Sequence, residues 1–205
     1  MLTRRTLLLS SLVLAATAAG ASGGYAQGSA AQVSPQQASQ LIDSTAKRLI
    51  AVIDGPGSAE QKRPALQQII DSVVAVDEIG RFCLGRHWRS ASPDEQRDYL
   101  ELFHRVLLNS ITGHLGDYRG ITYTLGRPLP GEGGVQVPST MNRPGQPSAD
   151  LTWIVADVGG GPKIIDVVAA GTSMRLTQRS DYDSYLVHNG NNVKALLSAL
   201  KRQVG

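Results

Sequence analysis

Apolar residues recur at steps of three and four through the first half of the chain, then at alternate positions between turn-rich gaps. Two backbone periods are therefore written into one sequence. Ser34-Pro35-Gln36-Gln37 opens the first helical pattern, with a capping Ser, Pro at the first helical position and Gln three residues after the cap. Leu41, Ile42, Leu49 and Ile53 follow at helical spacing, and Asp54-Gly55-Pro56-Gly57 ends the run. Ser58 and Gln61 repeat the capping pattern ahead of Leu66, Ile69, Ile70, Val73 and Val74, with a break expected near Asp77. A third cap, Ser92-Pro93-Asp94-Glu95, leads into Tyr99, Leu102, Phe103, Val106, Leu107, Ile111 and Leu115. That spacing predicts a helix of about six turns.

From Tyr118 onward the period shortens. Ile121 to Leu125, Val135 to Met141, Leu151 to Asp157 and Ile164 to Ala169 predict four strands, and Gly171 to Gln178 a further one. The gaps hold Pro128-Leu129-Pro130-Gly131, Pro144-Gly145 and Gly159-Gly160-Gly161, and connections this short join antiparallel neighbours. A short helix over Asp181 to Val187 and an amphipathic one with Val193, Leu196, Leu197 and Leu200 close the chain. The expected class is α+β: a curved antiparallel sheet of four to five strands, covered by a bundle of helices around an apolar pocket.

Composition changes this picture little. A formal net charge of +3 over 205 residues is too weak to mark a nucleic-acid binder. The single cysteine, Cys83, excludes an intramolecular disulfide and a Cys-rich zinc site. Met1 to Ala26 reads as a cleavable export signal, with Arg4 and Arg5 ahead of an apolar stretch from Leu7 to Ala19 and small residues at Gly24 and Ala26. The Sec route is preferred over the twin-arginine route, because a pair of Arg before an apolar run is common in Sec signals. Removing the signal takes away two Arg and lowers the net charge from +3 to +1. Residues 27–33 form a linker and residues 34–205 a single domain. No lipobox Cys follows the signal.

A search for chemistry finds little. His87, His104, His114 and His188 have no metal-ligand spacing, and Gly171-Thr172-Ser173 lacks the second glycine of a nucleophile elbow. Asp77 and Glu78 are adjacent and diverge on a helix, and Cys83 in its apolar setting reads as a small core residue. No catalytic residue, metal or cofactor is expected.

One stretch stands out, Gly80-Arg81-Phe82-Cys83-Leu84-Gly85-Arg86-His87-Trp88-Arg89-Ser90-Ala91-Ser92-Pro93. It resembles the periplasmic phospholipid-binding proteins of the MlaC or toluene-tolerance type, where a Leu-Gly-Arg-aromatic-aromatic motif precedes a Ser/Thr-Pro cap and a Phe-bearing helix. The resemblance continues through Tyr118-Arg119-Gly120-Ile121-Thr122-Tyr123, Leu151-Thr152-Trp153 and Asp166 to Met174, and ends with the final Leu-rich helix. The segment Ser173 to Arg179 is also similar to the hopanoid-associated branch. The resemblance implies a non-enzymatic periplasmic carrier, expected as a monomer, whose cargo is lipid. It implies shuttling between the outer membrane, at a lipoprotein complex, and an inner-membrane ABC transporter complex. Two departures qualify the cargo. Ala170 stands where relatives usually have a carboxylate, and Ile154 where a basic residue usually follows the strand aromatic, which makes a neutral or hopanoid-like lipid the alternative to a phospholipid.

The residues expected to line the cavity are Phe82, Trp88, Phe103, Leu107 and Ile111 from the helices, and Val137, Leu151, Trp153, Val155, Ile165, Val167 and Met174 from the sheet region. Ile165 is set on the same face as Val167 because Asp166 would otherwise point into the apolar side. Two other classes compete with a carrier. One is a small secreted enzyme using Asp166 and His104; the other is a periplasmic adaptor with a filled core and an exposed patch.

Overall fold

The computed structural model describes residues 33–204; the expected export signal and residues 27–32 of the linker lie outside the described residues. Helix α1 (Pro35–Asp54) begins at the predicted cap, where the Ser34 hydroxyl accepts from the Gln37 N–H and the Gln37 side chain accepts from the Ser34 N–H. The same reciprocal pair starts α2 (Ala59–Val73) from Ser58 and Gln61, and α5 (Pro93–Gly113) from Ser92 and Glu95. Each cap satisfies two otherwise orphaned backbone donors.

The break after α2 comes earlier than Asp77, and its cause is tertiary. Val74 is extended and bridges to Ile164, and the Ala75 N–H donates to the Ile164 carbonyl at 3.0 Å. The chain then re-enters a helix as α3 (Val76–Leu84), followed by the four-residue α4 (His87–Ser90). Gly85 joins them at φ +58°, a region that side-chain-bearing residues rarely adopt.

Six antiparallel strands follow: β1 (Thr122–Leu125), β2 (Leu129–Gly131), β3 (Gly134–Asn142), β4 (Ala149–Val158), β5 (Gly161–Ala169) and β6 (Thr172–Ser173). The sheet order is β1-β3-β4-β5-β6, and β2 lies in line with β1 along the same edge of β3. Helices α6 (Met174–His188) and α7 (Val193–Val204) close the fold. The predicted strand over Gly171 to Gln178 is therefore corrected. Only Thr172 and Ser173 pair with β5, and Ser173 then caps α6 by accepting from the Leu176 N–H.

Two apolar clusters organise the interior. One lies between a sheet face and the first two helices, where Val135, Val137, Val155 and Ile164 pack against Ala38, Ile42, Ile69 and Val73. The other lies among α2, α3, α5, α6 and α7 and is centred on Tyr99, which has no exposed surface. Leu49, Val52 and Val74 touch both clusters and form the seam between them.

Tyr99 stacks near Trp88, Phe103 and Tyr182, with ring centroids 6.4, 5.8 and 6.2 Å away, and its hydroxyl donates to the Gly80 carbonyl at 2.9 Å. Tyr99→Phe should lower the unfolding free energy by about 1 kcal/mol through loss of that bond. Tyr99→Ala should cost about 3–5 kcal/mol, because it leaves a ring-sized cavity. Urea denaturation checks both, and an unchanged midpoint for Tyr99→Ala would remove Tyr99 from the centre of the helical core.

Candidate functional site

The sheet face that meets α1 and α2 is apolar because alternate residues share it. Register places Leu151, Trp153 and Val155 of β4 on this face, with Val135 and Val137 of β3 beside them and Val167 and Ala169 of β5 on the other side. Val137 and Val155 are fully buried. Trp153 donates its indole N–H to the Ser139 hydroxyl at 2.9 Å, so its polar end is satisfied while its ring adds to the apolar surface.

Ile165 does not share this face. A bulge between Ile154 and Val155 shifts the β4–β5 register, pairing Val155 with Ile164 and Ile154 with Asp166. Ile165 therefore packs with Ile154 and Ala75 in a separate small cluster, and Val167 returns to the α1/α2 side. The expected alternation fails at the bulge, where β5 accommodates one extra residue, so that Ile165 joins Asp166 on the face opposite Val167. The Asp166 Oδ1 accepts from the Val167 and Arg175 N–H groups at 2.8 and 3.1 Å, and its Oδ2 accepts from the Ser173 hydroxyl. A carboxylate with three donors is tolerated at 6% exposure.

The helix residues gather in the other cluster. Phe103 is buried there, and Phe82, Trp88, Leu107 and Ile111 are partly buried against it. Met174, predicted on a strand facing inward, instead opens α6 and is 45% exposed. Ten of the twelve predicted residues thus fall into three packed groups, Leu151 is half-buried outside them, and Met174 is a surface position. The contribution missed from the sequence is that of α1 and α2: Ala38, Ile42, Ile69 and Val73 close the sheet face, and their helical spacing was the available signal.

The residues considered for catalysis do not converge. His104 on α5 lies 2.7 Å from Asp77 and 3.9 Å from Asp71, at a partly exposed position, whereas Asp166 is bound to β5 and α6 groups. Glu78 pairs instead with Arg81, so Asp77 and Glu78 diverge. Cys83 is buried, and burial pushes its thiol up to about 12; the Asp166 charge adds to this while Arg175 and Arg179 oppose it. A thiol held protonated is a poor nucleophile. Among the described residues no three His, Cys, Asp or Glu side chains group to hold a metal ion.

Two depressions on the surface of the described residues bear on function. An open groove of about 550 Å³ runs between α1 and β1, lined by Ser39, Gln40, Asp43, Lys47, Tyr123 and Leu125. The hydrogen bond from Lys47, then that from the Tyr123 hydroxyl, lowers the Asp43 pKa. Desolvation, then its bond to Asp43, pushes Tyr123 up to about 12. A second depression of about 360 Å³ lies between Gly85 and α6. Cys83, Leu84 and Leu176 supply its apolar surface, while Arg86, Arg179, Ser180 and Asp183 supply its polar groups.

The family model described as MlaC protein matches residues 42–202. The chain belongs to the MlaC family. Its fold is also that of a solved structure, a phospholipid-binding protein from Ralstonia solanacearum in complex with a phospholipid. That match has a TM-score of 0.73 at 20% identity and covers 82% of this chain and 97% of the other.

In this MlaC-family chain the Asp166 carboxylate ties the last long strand to the start of α6. Asp166→Asn turns one acceptor into a donor that faces N–H and O–H groups, and should cost about 2–4 kcal/mol in urea unfolding. A loss below 0.5 kcal/mol would show that the tether carries little energy. Cys83 gives a pH prediction. Its folded thiol titrates near 12 against a reference of 9.0, so its contribution is fully present below pH 9 and is lost as pH rises toward 12. Between pH 8 and 11 the urea midpoint should therefore fall more steeply for wild type than for Cys83→Ala. Identical slopes would reject the assignment.

Proposed function

We propose that this protein is a periplasmic lipid carrier that encloses phospholipid acyl chains between the sheet and its helices. The observation that carries the reading is MlaC-family membership over residues 42–202. The phospholipid complex of the Ralstonia solanacearum protein supplies the cargo class. Lipid here is cargo and not a cofactor, and the protein acts without turnover.

Elementary energetics favour enclosure. Exposing an acyl chain of about 15 methylenes to water costs about 12 kcal/mol at roughly 0.8 kcal/mol each. An apolar seam runs between the sheet face and α1/α2, where Val137, Val155 and Trp153 meet Ile42, Ile69 and Val73. Those contacts are nondirectional side-chain packing. Acyl chains can replace them one for one, because hydrocarbon against hydrocarbon is preserved as the helices part from the sheet. The polar links across the seam lie at its margins. Tyr123 donates to Asp43 on one side, and Lys163 donates to the Ser72 carbonyl on the other.

The export signal read in residues 1–26 and MlaC-family membership support a periplasmic site for this work, and the family resemblance suggests shuttling between an outer-membrane lipoprotein complex and an inner-membrane ABC transporter complex. Native mass spectrometry of the protein, expressed with its own signal in a Gram-negative host, tests the carrier reading. One or two phospholipids per chain, identified by organic extraction, are expected. A hopanoid in their place would assign the alternative cargo. A bare polypeptide mass, unchanged after incubation with phospholipids and with hopanoids, would overturn the reading.

A further inference from the structure

The first turns of α6 place apolar and cationic side chains together on the surface. Met174 and Leu176 are 45% and 56% exposed, although both are large apolar residues at the start of a helix whose later Tyr182 and Leu186 are buried. Arg175 lies between them in sequence and Arg179 follows one turn on. Both guanidiniums sit over the Phe82 ring, 4.6 and 5.0 Å from its centroid, so their stems are held against the protein and are not free to sweep through solvent.

These charges are incompletely compensated. Among the described residues Arg179 has no carboxylate within ion-pair distance. Arg175 has only Asp166, whose oxygens are already taken by Val167, Ser173 and the Arg175 backbone, and the Arg175 Nε is buried with no hydrogen-bond acceptor. Arg86 stands in the same depression as Arg179 and Leu176, and the one carboxylate lining it, Asp183, is shared between Arg86 and His87 at 3.1 Å each. Arg86 and Arg179 thus flank the exposed Leu176 side chain, with the half-buried Asp183 the carboxylate of the same depression and the exposed Asp181 one turn further along α6.

We propose that the first turns of α6, with the adjoining depression, form a docking surface for an anionic phospholipid bilayer. Leu176, which lines the depression together with Arg179 and Arg86, enters the boundary between head groups and acyl chains, while the two guanidiniums meet lipid phosphates at the level of the depression. The charge pattern selects this occupant. A neutral apolar partner would leave the guanidiniums desolvated and unpaired, whereas a phosphate-bearing surface supplies counterions beside hydrocarbon. The inference goes beyond the carrier reading, since protein-free vesicles test it whether or not cargo copurifies.

The experiment is flotation of the full chain with vesicles of equal parts phosphatidylglycerol and phosphatidylethanolamine, against vesicles of phosphatidylcholine alone. Binding is expected to the first and not the second, and to fall steeply with added salt. Arg179→Gln should weaken it about fivefold, the worth of one cation near an anionic surface. Leu176→Ser should weaken it about tenfold. Val187→Ser is the control: Val187 is 50% exposed on the same helix, about 16 Å further along its axis, and should bind as wild type does. No binding to anionic vesicles, or binding unaffected by both Arg179→Gln and Leu176→Ser, overturns the proposal. Binding that appears only when a membrane protein is reconstituted into the vesicles also overturns it, in favour of a protein receptor.

Discussion

The structure depends on covering one face of a twisted antiparallel sheet. Val135, Val137, Val155 and Ile164 present a continuous apolar surface that the sheet cannot bury against itself, and α1 and α2 cover it with Ala38, Ile42, Ile69 and Val73. The remaining helices then pack mainly on one another around Tyr99, with α3 and α6 also touching β5. Because the cover is made mainly of side-chain contacts, with Tyr123–Asp43, Lys163–Ser72 and the Ala75–Ile164 backbone bond as its polar links, the surface that completes the fold is also one suited to exchange its partner for hydrocarbon. Stability and the proposed function draw on the same interface.

A buried carboxylate organises the other end of the sheet. Asp166 occupies the bulge of β5, gathers two backbone N–H groups and the Ser173 hydroxyl, and so fixes where the chain leaves the sheet and enters α6. That junction aims Arg175 and Arg179 across Phe82 and leaves Met174 and Leu176 in solvent. The two departures read in the sequence flank this region. Ala170 takes the turn between β5 and β6 at φ +49°, and Ile154 is buried with Ala75 and Ile165.

Much of the fold was legible in local chemistry. Ser34, Ser58 and Ser92 each announce a helix start through contacts within three residues, and the alternation in Leu151, Trp153 and Val155 fixes a shared face by geometry alone. The MlaC resemblance was legible for the same reason, since its motifs are short, ordered runs. Three features were decided only in three dimensions. The break between α2 and α3 is made by Ala75 donating to Ile164, some ninety residues away in sequence. The bulge that separates Ile165 from Val167 accompanies an Asp166 whose donors come from β5, Ser173 and the start of α6, which no pattern within β5 encodes. Met174 begins a helix because Ser173 caps it while Asp166 holds Ser173 and the Arg175 N–H, so a run that reads as strand by composition turns away from the sheet after two residues. Local hydrogen bonds and side-chain period are properties of neighbouring residues and are visible in the chain; a polar group's partner, and hence which way it faces, is set by whatever the fold brings beside it.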